Sequence, residues 1–143
     1  MAKPDPALLD LARYPYSCII EPRFGDLDIN MHVNNVAMAG ILEDARVRFS
    51  RKTDYRRVMP DAATMVASLA IEYIGEANYP DPINVASALE RIGRTSHQIV
   101  QVVTQNGKTL VFARTVLVLV GPDGPAPFPE GFARSVQPWM LRP

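Results

Sequence analysis

Residues 24–46 read FGDLDINMHVNNVAMAGILEDAR, a stretch that crowds acids, amides and an imidazole against the start of a helix. In its first part Asp26, Asp28, Asn30, His32 and Asn34 fall at every second position, and in an extended segment that spacing puts all five side chains on one side. Asn34 or Asn35 is a good N-cap. Either precedes a proline-free run of helix-forming residues, which predicts a helix continuing to about Lys52. Along it Met38, Leu42, Ala45 and Phe49 recur at three-to-four spacing as a core stripe. Val36, Gly40, Glu43 and Val47 form a neighbouring stripe that sets one carboxylate against apolar surface.

Upstream, residues 1–15 carry Pro4, Pro6 and Pro15 and read as an arm with one helical turn over Pro6 to Ala12. Tyr16 to Glu21 is short and β-prone, a first strand leading through Pro22 into the central stretch. Downstream, Thr53 to Arg57 with Pro60 ends the helical pattern. Four strand-like segments follow: Thr64–Ile74, Ile83–Ile92, Ser96–Gln105 and Thr109–Val120. Asn106-Gly107 between the last two suits a two-residue type I′ hairpin turn. One strand, one long helix and then an antiparallel meander define an α+β domain spanning residues 1–143. A single helix covers only one face of such a sheet, so the other face needs a partner. The runs VASLAI and VLVLV, apolar on both faces, agree with that need. Residues 121–143 are dense in Pro and Gly and read as a packed or partly mobile extension.

At 143 residues and 48% hydrophobic content the chain is long enough for one real core. Its formal net charge of zero offers no basic surface for nucleic acid or anionic membranes. The single cysteine, Cys18, excludes an internal disulfide and a cysteine-based metal site and suits a reducing compartment. The first fifteen residues lack the apolar core of a signal peptide, and Leu110 to Val120, broken by Arg114, is too short for a membrane span. The expectation is a cytoplasmic protein.

Asp-x-Asn-x-His-Val-Asn-Asn from Asp28, followed by an apolar helix with Leu42-Glu43, resembles the hot-dog-fold acyl thioesterases: the plant acyl-acyl carrier protein enzymes, the bacterial long-chain acyl-CoA thioesterases and 4-hydroxybenzoyl-CoA thioesterase. The resemblance implies a long central helix wrapped by an antiparallel sheet, with active sites where two subunits join. One such unit stands in this chain, which implies a homodimer or homotetramer. It also implies hydrolysis of an acyl thioester carried by coenzyme A or acyl carrier protein, without metal or redox cofactor. Residue by residue, the family's catalytic positions fall on Asp28, Asn30, His32 and Glu43. Related single-unit enzymes place the acid either on the loop, matching Asp28, or on the helix, matching Glu43, and this sequence offers both.

Thioester hydrolysis needs an activated water or a carboxylate nucleophile, and donors for the developing oxyanion. Asp28 stands just before a helix N-terminus whose backbone N–H groups, about Asn34, Asn35 and Val36, are candidates to polarise the carbonyl. Asn30 and His32 are candidates to orient water or substrate. Glu43, packed against apolar side chains, would have its pKa raised by desolvation and share the proton load. Taken singly, Asp28 reads equally well as a turn aspartate, His32 as a packed histidine and Glu43 as a solvated helix charge. Their joint arrangement is what points to catalysis.

A calcium loop starting at Asp26 fails, because Met31 replaces the required Gly at its sixth position and Ala37 the Glu at its twelfth. His97, the only other histidine, supplies no ligand-spaced pair for a metal. Arg91, Gly93, Arg94, Thr95 and Ser96 lie between two strands and resemble the family's Gly-Arg/Lys-Ser segment that passes pantetheine and nucleotide; arginines there suit phosphate. A charged turn is the plain alternative. Arg56 and Arg57 either serve the same phosphates or are solvated. Pocket shape depends on residues such as Met31, Met38, Met65 and Tyr73. The rival functions are a hot-dog enoyl-thioester hydratase or dehydratase and a non-catalytic acyl-thioester binding module.

Overall fold

The long helix begins where its cap places it. In the computed structural model, which describes residues 3–54 and 61–143, α1 spans Asn35–Thr53, and the Asn34 side chain accepts the Val36 N–H at 2.7 Å. It ends at Asp54 in the left-handed conformation (φ 55°), whose N–H bonds back to the Ser50 carbonyl. Met38, Leu42, Ala45 and Phe49 are all buried, as their spacing predicts. Arg56 and Arg57 lie outside the described residues.

The strands are β1 (Tyr16–Ile20), β2 (Ala63–Tyr73), β3 (Ile83–Ile92), β4 (Ser96–Gln105), β5 (Lys108–Gly121) and the two-residue β6 (Gly124–Pro125). The Asn106-Gly107 hairpin forms with both residues at positive φ (52° and 79°), which a type I′ turn demands. The order across the sheet is β1-β3-β4-β5-β2, all pairs antiparallel. This departs from a four-stranded meander. Only β3-β4-β5 run as neighbours in sequence; β2 lies beyond β5, because the nine-residue connection from Ile74 to Pro82 is no tight hairpin and lets the chain cross to the opposite edge. A long helix against a curled antiparallel sheet in one domain is the hot-dog fold.

Alternation along the strands divides the core in two. Val85, Val103, Val111 and Ala113 pack with Met38, Ile41 and Leu42 under the helix. Ala86, Ala88, Val100, Val102 and Phe112 form the other face, and there the expectation of an outside partner needs correction. The N-terminal arm folds into two 3-10 turns, Pro6–Leu9 and Leu11–Arg13, capped by Asp5 and Asp10. It lays Leu8, Leu9 and buried Tyr14 over that face, and Tyr14 Oη donates to the Leu8 carbonyl at 2.7 Å. Part of the second face is thus covered by the chain itself.

The C-terminal extension is packed. Phe128 stacks on Phe132 with centroids 4.3 Å apart, Trp139 meets Phe49 edge-on, and Phe132 and Val136 are buried. Beyond the end of β1 pairing, Leu141 N–H donates to Leu89 of β3 at 2.7 Å, so the tail takes up the edge that β1 leaves. Among the described residues no helix is long and apolar enough to cross a membrane.

Candidate active site

The residues at 26–34 do not run extended, and their side chains do not share one side. Phe24–Asp26 is a 3-10 turn, Leu27 pairs with Val33, and the chain between them folds back on itself: Asp28 N–H donates to the His32 carbonyl at 2.9 Å and Met31 N–H to the Asp28 carbonyl at 3.0 Å. The Asp28 carboxylate builds this loop. Its Oδ1 accepts the N–H groups of Asn30 (2.8 Å) and His32 (3.2 Å), while Oδ2 takes no part in these bonds. Asp26 turns the other way, is buried, and binds Arg23 through backbone and side chain; those bonds hold its carboxyl below the usual range. Asn34 is spent as the helix cap. Asn30 sits exposed on the loop tip.

The loop closes one end of a cavity of about 250 Å³, lined by Asp28, His32, Asn35, Tyr73 and Glu76 with Val33, Met38, Ala77 and Val111 as its apolar wall. His32 Nε2 lies 3.2 Å from Glu76 Oε2, which orients the ring. Tyr73 Oη donates to the Asn35 carbonyl at 2.9 Å and ties the end of β2 to the first turn of α1. Val33 N–H reaches the Ala77 carbonyl at 2.9 Å, fixing the loop to the same connection.

Of the three backbone amides expected to face a carbonyl, two are occupied: Asn34 N–H bonds the Asp26 carbonyl at 2.8 Å and Val36 N–H bonds the Asn34 side chain. Only Asn35 N–H is outside these bonds, and Asn35 lines the cavity at the positive end of α1. Glu43 is not brought to this cavity. It lies eight residues on, about 12 Å along the helix, and is exposed, so the desolvated setting expected for it is absent in the single chain. It lines a second cavity of about 230 Å³ with Arg46, Val47, Ser50, Arg51, Thr64, Val66 and Leu117.

Gly93, Arg94 and Thr95 form the β3–β4 turn, with Arg91 near the end of β3 and Ser96 at the start of β4, and none of the five lines either cavity. Gly93 N–H donates to the Ser96 carbonyl at 2.7 Å, and a Cβ on Gly93 would meet that oxygen and Ser96 Oγ at 3.3 Å. The C-terminal extension braces the turn, Phe128 N–H bonding the Arg94 carbonyl at 3.0 Å. Arg91 and Arg94 themselves are exposed. Met38 and Tyr73 do shape the pocket, whereas Met31 and Met65 are exposed. Glu76 escapes sequence reading because it belongs to the β2–β3 connection, which no motif ties to the loop.

A family model, described as the thioesterase-like superfamily, matches residues 22–136. The chain belongs to the thioesterase-like superfamily. Among solved structures of this superfamily's fold, a thioesterase from Thermus thermophilus complexed with coenzyme A and Zn is 28% identical over 92% of this chain and 98% of its own, with a TM-score of 0.80. A predicted thioesterase from Bacillus stearothermophilus is 24% identical (90% and 98% covered, TM-score 0.77), and a 1,4-dihydroxy-2-naphthoyl-CoA thioesterase from Synechocystis is 15% identical (85% and 95%, TM-score 0.74); these two show the fold alone. No curated protein sequence matches the chain significantly. Family and neighbours together support thioester hydrolysis as the chemistry. Among the described residues, no three His, Cys, Asp or Glu side chains are grouped to hold a metal ion.

Proposed function

We propose that this chain hydrolyses acyl thioesters of coenzyme A, with Asp28 as general base or nucleophile. The observation that carries the reading is the cavity that gathers the Asp28 carboxylate, His32 and the Asn35 amide at a helix N-terminus in a thioesterase-superfamily chain. Asp28 Oδ1 is anchored by two amides, which aims Oδ2 as the reactive oxygen. As base, it takes a proton from water while the water oxygen bonds the thioester carbon. The carbonyl oxygen gains charge against the Asn35 N–H and the helix dipole. Collapse of the tetrahedral intermediate breaks the C–S bond, and the thiolate takes up a proton. His32, held by Glu76, and Asn30 on the loop tip orient water or substrate. The β3–β4 turn, with Arg91, Gly93, Arg94, Thr95 and Ser96, receives the carrier's phosphates.

Glu43 joins this site from a second copy. β2 is an eleven-residue edge strand without Pro, Lys or Arg, and it exposes Met65, Val66, Leu69 and Tyr73. Such an edge is a template for pairing. Antiparallel pairing of two β2 strands about the midpoint Ser68 sets Tyr73 of one copy against Ala63 of the other. The Asp28 cavity of each copy then adjoins the other copy's Thr64 and Glu43 cavity. A homodimer, or a tetramer of two such dimers, follows.

Thiol release from a panel of acyl-CoA and acyl-pantetheine thioesters tests the reaction. Release that is lost in Asp28→Asn or Glu43→Gln is expected. Saturable acyl-CoA binding without release from any thioester would leave a binding module, and hydration of an enoyl thioester without release would make the chain a hydratase.

A further inference from the structure

One stripe of α1 has no cover in the single chain. Val36, Gly40, Glu43 and Val47 share one flank of the helix, and all four are exposed, Val36 by 73% and Val47 by 47%. The flank is the one beside β2, because Glu43 and Val47 line a cavity with Thr64 and Val66 of that strand. Gly40 stands inside a nineteen-residue helix, where glycine is less stable than alanine. No contact within the chain requires it, since a Cβ there would meet no heavy atom within 4 Å. A glycine in such a place suits close approach by another chain.

The stripe is matched to its own reverse. Val36 and Val47 are equally far from the point midway between Ile41 and Leu42, and so are Gly40 and Glu43. An antiparallel copy of the helix, with a two-fold axis at that point, sets Val36 on the other copy's Val47 and Glu43 over its Gly40. Each contact then occurs twice, as an isologous interface requires. The strand points to the same axis. β2 runs against α1, with Tyr73 bonded to Asn35 at one end and Thr64 and Val66 beside Glu43 and Val47 at the other. Ser68, the midpoint proposed for β2 pairing, therefore lies level with the middle of the stripe.

We infer that α1 packs antiparallel on α1 of a second copy along Val36, Gly40, Glu43 and Val47, with Gly40 as the opening through which the other copy's Glu43 enters the site. The inference rests on the dimer of the thioesterase reading and specifies its helix contact. Glu43 then stands level with a residue five positions, about 7–8 Å along the axis, from the Asn35 of the other copy, against about 12 Å from its own. Packed helix axes lie about 8–10 Å apart, and a glycine at the crossing admits the acidic side chain without spreading them.

Cysteine pairing tests the register in a Cys18→Ser background, with glutathione disulfide as oxidant. Positions 36 and 47 are about 16 Å apart along one helix, too far for a bridge, so a disulfide between them joins two copies. Val36→Cys with Val47→Cys is expected to form a covalent dimer, on a non-reducing gel, at least tenfold faster than either single variant. Gly40→Leu is expected to weaken the dimer at least tenfold by sedimentation equilibrium, with the circular dichroism of the chain unchanged because its side chain has open space in the single copy. A wild type that is monomeric at every concentration overturns the dimer reading and the inference with it. A dimeric wild type whose double variant bridges no faster than the single ones, or whose dissociation is unchanged in Gly40→Leu, overturns the helix contact alone. Neither readout involves turnover, so failure of the thioesterase reading shows separately in the thiol-release assay.

Discussion

Asp28→Asn separates the task that the structure shows for this side chain, holding its own loop, from the catalytic one proposed for it. Asparagine has nearly the same shape and keeps an Oδ1 acceptor for the N–H groups of Asn30 and His32, at 2.8 and 3.2 Å in the wild type. What it loses is charge. Hydrogen bonds to a charged acceptor contribute about 1.5–3 kcal/mol and neutral ones about 0.5–1.5, so two downgraded bonds cost about 2–3 kcal/mol while both contacts remain. If Oδ2 is the base, kcat/KM falls by about 10² to 10⁴, the usual worth of general-base catalysis. Asp28→Ala removes the acceptor as well and is expected to lose further stability with little further rate. Thiol release at saturating and limiting acyl-CoA, alongside urea melts of the same samples, measures both effects. An Asp28→Asn protein that melts about 2–3 kcal/mol lower yet keeps kcat/KM within about threefold of wild type would refute the catalytic assignment and leave Asp28 as the cap of its own turn.

Tyr73→Phe removes the 2.9 Å bond to the Asn35 carbonyl; at about 1 kcal/mol for a neutral bond, a loss of roughly fivefold in kcat/KM is expected from steady-state kinetics. Burial pushes His97 down to about 4 from its ordinary 6.5. As pH falls the unfolded chain is protonated first, so the stability is intact above about 6.5 and declines by up to about 3 kcal/mol between 6.5 and 4. Urea melts at pH 7 and 4.5 check this slope, which His97→Phe should flatten. The double change Val66→Lys with Leu69→Lys charges the exposed edge of β2 and is expected to give a monomer by sedimentation with thiol release abolished; an active monomer would contradict the shared site. Deleting residues 127–143 removes buried Phe132 and Val136, each contributing about 1.5–3 kcal/mol, and should lower the melting temperature by ten degrees or more on the order-of-magnitude scale for a domain of this size.

The helix and the strand positions were legible because each rests on local chemistry: an Asn cap with a three-to-four stripe for α1, and period-two runs with an Asn-Gly turn for β4 and β5. Strand order was not, since the partner of β2 depends on where a nine-residue connection crosses, which no local preference decides. At 28–36 the sequence suggested a geometry that the structure does not have. Alternation suggested an extended row, yet the Asp28 carboxylate reaches its own downstream amides more cheaply than the segment can find a strand partner, and the loop closes instead. Glu76 and Tyr73 enter the cavity from a distant connection and strand end, so spacing carried no signal for their contact with His32 and Asn35. The arm's cover over the second face was likewise hidden, because Leu8, Leu9 and Tyr14 show no period until the aspartate-capped turns set their directions.

The two sheet edges explain why the exposure of Glu43 does not count against a role for it. β1 is short, is followed directly by Glu21 and Pro22, and has its Ile19 carbonyl engaged by Arg48 at 3.4 Å; beyond its first residue, Tyr16, the C-terminal tail takes over the edge of β3. Proline and an occupied carbonyl are the means by which proteins close an edge to pairing. β2 has neither, and its outward residues are apolar. The proposed association is therefore assigned to β2, the strand whose far end carries Tyr73 of one cavity and whose near end carries Thr64 of the other. In the proposed dimer, covering that edge sets Glu43 beside Asp28 of the other copy. The second base would then arise only on assembly, so activity should rise with protein concentration across the dissociation range while the fold of the single chain stays the same.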